Sequence, residues 1–174
     1  MKRLSFAFGT LLTVVAVALF VSMATGQGHQ SLKARLSGYQ EVPSVSTSGS
    51  GDFRAKISSD GTSVDYTLSY QNLEAATTAA HIHLGSRGVS GGVIAFLCGG
   101  GGKPACTSNV GQNTVSGTIV AADIIGPAGQ GIAAGEFTEF LRALRSGATY
   151  ANVHSTLFPG GEIRGQISTD DEDN

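Results

Sequence analysis

The chain has 174 residues, a formal net charge of −2, 14% charged residues, 25 glycines and no tryptophan. One domain of ordinary size fits that length, and a weakly acidic balance with no basic cluster argues against nucleic acid as a partner. So much glycine with so little charge suits short strands joined by tight turns rather than long helices.

In chain order, Met1-Lys2-Arg3 is a positive start and residues 11–21 (LLTVVAVALFV) are an apolar run leading into small residues. That is the pattern of a secretory signal peptide over residues 1–24, cleaved after Ala24 or after Gly26. The run is shorter than the roughly 20 residues that span a bilayer. The expected product is secreted or periplasmic, with no membrane span. Cleavage after Gly26 would leave Gln27-Gly28-His29 first, an amine, amide and imidazole set suited to Cu(II) or Ni(II).

From Ser31 the apolar period is two, with Leu32, Ala34 and Leu36 alternating with Lys33 and Arg35. After a turn-rich stretch at 39–50, Phe53, Ala55 and Ile57 alternate with Arg54 and Lys56. Ser59-Asp60-Gly61 then turns the chain into Val64, Tyr66, Leu68 and Tyr70, the clearest hairpin in the sequence. Further strands are predicted at 79–84, 92–98, 112–120, 149–155 and 162–168. One amphipathic helix is predicted near 135–146, from Phe137, Phe140, Leu141 and Leu144 at helical spacing with Arg142 and Arg145 near its end. It is expected to cover an open end of the sheet. Residues 31–168 thus read as one all-β domain, an antiparallel sandwich or barrel of about eight strands. Residues 169–174, with Asp170-Asp171-Glu172-Asp173, read as a solvated acidic tail.

Cys98 and Cys106 bracket a glycine-rich stretch, and in an exported protein their default is a disulfide. A two-thiolate metal site is the rival, but the C-x₂-C spacing is missing. His81-Ile82-His83 places two imidazoles on one face of a strand, and Asn152-Val153-His154 offers a third. If those strands pair, three imidazoles suit zinc or copper and leave a coordination position open. The competing expectation is that these histidines only hydrogen-bond to backbone or to one another. Glu162 and Arg164 share a strand face and are expected to pair across to a neighbouring strand, a structural rather than catalytic use of exposed charges on a sheet. Gly88-Val89-Ser90-Gly91-Gly92 matches a hydrolase elbow in letters alone, because a strand rather than a helix follows. Gly99-Gly100-Gly101-Gly102-Lys103 is no phosphate loop, since Pro104 stands where Ser or Thr is required.

Taken together, Ala80-His81-Ile82-His83-Leu84-Gly85, Tyr150-Ala151-Asn152-Val153-His154-Ser155 and Phe158-Pro159-Gly160-Gly161-Glu162-Ile163-Arg164-Gly165-Gln166-Ile167 resemble the CHRD domain, named after chordin. Leu36-Ser37-Gly38-Tyr39-Gln40-Glu41-Val42-Pro43 resembles that family's N-terminal motif. The resemblance implies an extracellular β-rich domain with no settled activity. The cysteine-rich modules that bear growth-factor binding in chordin are absent from this sequence, so that activity does not transfer. The H-x-H strand is also similar to copper/zinc superoxide dismutase at the level of fold, but four histidines are too few for a dinuclear site. The leading expectation is a non-enzymatic exported module that binds an unknown protein or envelope component or serves in matrix architecture. The alternative is a copper- or zinc-binding protein using His81, His83 and His154, with a metal-dependent oxidoreductase as the weaker form.

Overall fold

The computed structural model describes residues 30–108 and 111–169. The leader, His29 and the acidic residues 170–173 lie outside the described residues.

Nine antiparallel strands form one sheet: β1 (Ser31–Ser37), β2 (Ser50–Ile57), β3 (Val64–Gln71), β4 (Thr77–Leu84), β5 (Val93–Cys98), β6 (Asn113–Ile119), β7 (Thr149–Ser155), β8 (Ile163–Gln166) and β9 (Ser168–Thr169). The order is β5-β4-β7-β8-β1-β2-β3-β6, with β9 paired to β1. The two end strands, β5 and β6, approach one another, so the sheet curls into a nearly closed barrel rather than two separate layers. Closure removes most of the unpaired strand edge that an open sheet would present.

All eight predicted strands are present, and the last is divided. Ile167 leaves the ladder to donate its N–H to the Thr149 carbonyl at 2.9 Å, which separates β8 from β9. The β2–β3 hairpin has Phe53 opposite Leu68, Ala55 opposite Tyr66 and Ile57 opposite Val64, all of them buried. Its turn is tied by Asp60 Oδ1, which accepts from the Ser58 hydroxyl at 2.6 Å and from the Thr62 N–H at 3.1 Å.

The helix α1 runs over Phe137–Arg145, one to two residues inside the predicted span. Gly135, at φ +83°, and Glu136, whose carboxylate accepts from the Ala133 N–H at 2.6 Å, form a turn before it. Gly147, at φ +65°, ends it in the left-handed conformation that suits glycine. Phe137, Phe140, Leu141, Ala143 and Leu144 are its buried stripe, and it packs beside β9. No helix among the described residues is long and apolar enough to cross a membrane.

Candidate metal centre

The outer face of β4, β7 and β8 is built from register. β4 pairs with β7 so that His81 lies opposite Asn152, His83 opposite Tyr150 and Ala79 opposite His154. β8 continues the rows, with Arg164 beside Asn152 and Gln166 beside Tyr150, while Phe96 of β5 flanks His81 on the other side. Directly opposed residues share a sheet face, so these side chains form one polar layer. The alternate residues Ala80, Ile82, Ala151 and Val153 are wholly buried in the apolar core.

The structure brings His81, His83 and His154 together. One ring nitrogen from each falls within a set whose members are no more than 4.8 Å apart. His81 Nδ1 and His154 Nε2 are 2.9 Å apart. His83 Nδ1 lies 2.9 Å from the Gly91 carbonyl and His154 Nδ1 lies 3.0 Å from the Pro159 carbonyl. A carbonyl only accepts, so both Nδ1 atoms carry the proton and both Nε2 atoms keep a lone pair. His81 Nδ1–H then donates to His154 Nε2, whereas His83 Nε2 is buried without any hydrogen-bond partner.

Such a backbone carbonyl behind each of two imidazoles is the outer-shell arrangement that fixes the tautomer of a metal-binding histidine. Around a tetrahedral ion with bonds of roughly 2.0–2.1 Å, ligand nitrogens sit about 3.3 Å apart. The pair at 2.9 Å would have to open slightly, the widest pair would have to close, and for His81 to ligate through Nδ1 its proton would have to pass to Nε2. Burial also keeps the rings neutral. It pushes His81 down to about 3, with the neighbouring His154 and His83 adding to the effect, and His83 down to about 4 against the raising influence of its bond to Gly91. Burial lowers His154 as well, opposed by its bond to Pro159. Neutral imidazole is the form that ligates a metal.

The sequence-based expectation for Glu162 and Arg164 is corrected. Neither is an exposed sheet charge: Glu162 is 0% and Arg164 2% exposed. Arg164 lies with its guanidinium carbon 3.4 Å from the centre of the Tyr150 ring, and the other face of Tyr150 stacks on His83 with centroids 4.7 Å apart. Its NH2 group donates to the Ser86 and Val89 carbonyls at 3.0 and 2.9 Å. Glu162 Oε1 instead accepts from the Thr47 hydroxyl at 2.8 Å and the Glu74 N–H at 2.7 Å, so the two charges serve different loops.

Glu41, which the sequence-based site omitted, completes the layer. Its Oε1 accepts from Asn152 Nδ2 at 2.5 Å, and burial raises its carboxyl to about 7 although Arg164 pulls it down. Gly161 is required here: at φ +128° its position leaves no room for a Cβ, which would stand 2.5 Å from Asn152 Nδ2 and 2.7 Å from Glu41 Oε1. The segment around Glu41 was legible as a motif, but nothing local marks its carboxyl as buried.

Cys98 and Cys106 are disulfide-bonded. The loop between them lies flush on Phe96, whose ring packs edge-on against His81 with centroids 4.4 Å apart. Lys103 holds the loop in place through Asp123 at 2.9 Å and the Thr118 carbonyl at 2.6 Å.

Against known proteins, the family model described as the CHRD domain matches residues 32–167. No curated protein and no solved structure matches the chain.

Proposed function

Since this chain belongs to the CHRD domain family, we propose that it is an exported module of the cell envelope or extracellular matrix that binds one zinc or copper ion through His81, His83 and His154. The observation that carries the metal reading is the buried, partnerless Nε2 of His83 beside the two other imidazole nitrogens. A buried polar atom without a partner costs about 1–3 kcal/mol, and a metal ion at the centre of the cluster would remove that cost. Three neutral imidazoles, two of them backed by carbonyls, suit a borderline-soft cation and leave a coordination position for water or another ligand.

Export is supported by the N-terminal pattern of positive start and apolar run, by the extracellular character of the family and by the disulfide. The site's test is metal analysis of untagged protein purified from the exported fraction, beside a His81→Ala/His83→Ala variant. About one equivalent of zinc or copper in the parent and little in the variant is expected. Equal metal content in the two defeats the assignment.

A further inference from the structure

A groove runs over the outer face of β1 and β2, away from the histidine cluster. One section, of about 670 Å³, is lined by Lys33, Arg35, Arg54, Arg87 and the carboxylate of Asp52. A second, of about 500 Å³, lies against Tyr39, Val42, Pro43 and Arg164. The two sections share Gln40, Arg87 and Gln166, so they adjoin along one face.

Charge is distributed unevenly over the molecule. Away from the groove, Lys103 pairs with Asp123 and Arg142 with Glu139, while Arg145 donates to Gln30 at 2.9 Å. In the groove, Arg35 and Arg54 are exposed and make no ion pair with any described residue, even though Arg35 stands directly opposite Asp52 in the β1–β2 register. Exposed guanidinium groups of this kind recognise carboxylate and sulfate through paired N–H donors. At the other end, Tyr39 is 72% exposed, the highest value among the large apolar side chains described. A bare aromatic ring at the end of a polar, amide-lined groove is a platform for the apolar face of a sugar ring, and such rings are enriched where a surface has a partner.

We propose that this groove binds a linear acidic polysaccharide, with carboxylate or sulfate groups on Arg35, Arg54 and Arg87 and a sugar ring on Tyr39. The choice of a polysaccharide over a nucleic acid rests on the exported location inferred above, whereas the groove itself is independent of the metal. Binding by exposed arginines is screened by salt, so affinity falls as ionic strength rises. Contact with Tyr39 contributes without that dependence.

The test is affinity electrophoresis of the native protein through gels containing polygalacturonate, with neutral dextran and single-stranded DNA as comparison polymers. Retardation by polygalacturonate alone is expected. Arg35→Glu/Arg54→Glu should weaken it at least tenfold and Arg35→Gln/Arg54→Gln less, each variant being checked for an unchanged thermal melt. Tyr39→Ala should weaken binding roughly threefold at every salt concentration. The His81→Ala/His83→Ala variant should bind as the parent does, which separates this groove from the metal centre. Absence of retardation of the parent, equal retardation by single-stranded DNA, or unaltered binding by Tyr39→Ala would each overturn the proposal.

Discussion

Along β2 and β3 water reaches every second residue. Asp52, Arg54 and Lys56 are exposed while Phe53, Ala55 and Ile57 are buried, and Asp65 and Thr67 alternate in the same way with Val64, Tyr66 and Leu68. Along β4, β7 and β8 both faces are buried: His81, Ile82 and His83 in succession, then six of the seven residues of β7, then Ile163, Arg164 and Gly165. The strands are equally antiparallel, so the cause lies outside them. Three connections fold over the second half: the segment carrying Glu41, the loop of Ser86, Val89 and Gly91, and the turn of Pro159 and Gly161. A face covered in that way excludes water from polar side chains, which must then satisfy one another or the loop backbone. The first half keeps Arg54 and its other charged side chains in water, while the second encloses its polar groups in a layer where His83 Nε2 and Gln166 Oε1 are left without a partner.

The sharpest way to break this contrast is to remove a cation from each half. Arg164→Met removes the cation near the buried Glu41 carboxyl and leaves the Ser86 and Val89 carbonyls without a donor, and should cost about 3 kcal/mol in urea unfolding. Arg54→Met, on the solvated face, should stay within about 0.5 kcal/mol. Similar costs for the two would show that the halves do not differ as described.

Metal binding should sharpen the contrast next. With zinc at 100 times its dissociation constant, the parent should gain about 2.7 kcal/mol, read as a raised melting temperature, and the His81→Ala/His83→Ala variant should gain nothing.

A smaller effect is the dependence on pH that the covered layer imposes. Glu41 holds its proton up to about 7 when folded, against an ordinary value of 4.5, because burial outweighs Arg164, Val42 and Asn152. Its stabilising contribution is therefore complete below the unfolded value and is lost as pH rises through about 7. Stability of the parent should fall by about 2 kcal/mol between pH 5 and 8 relative to Glu41→Gln, as followed by denaturant titration at each pH. A parallel pH profile for the two would mean that Glu41 is not shielded.

The smallest expected effect comes from Tyr150→Phe. It keeps the ring between Arg164 and His83 but removes the hydroxyl that accepts from the Gly91 N–H at 3.1 Å, at a cost of about 1 kcal/mol. Loss of metal affinity with it would show that the Gly91 loop orients His83.

Where one face is wet, the amino-acid pattern states the fold directly. Leu32, Ala34 and Leu36, and then Phe53, Ala55 and Ile57, are buried at intervals of two, and the Asp60-Gly61 turn joins the strands it was expected to join. Phe137, Phe140, Leu141 and Leu144 mark the helix for the same reason, a single apolar stripe on a half-exposed element. His81, His83 and His154 were legible as residues on predicted strands, but their meeting required the β4–β7 pairing, which the sequence left conditional. Glu162 and Arg164 were misjudged because alternating charge on a strand normally marks a solvated face.

The sequence by itself determined the strands, the helix, the cysteine pair available for bonding and the side of each strand that carries polarity, because those follow from periods of two and 3.6 along the chain. Tertiary structure alone decided that the sheet curls into a nearly closed barrel and that loops seal one of its outer faces. The contacts that seal it join residues as far apart as Glu41 and Asn152, and local pattern carries no record of how far a distant loop folds back or which polar groups it removes from water.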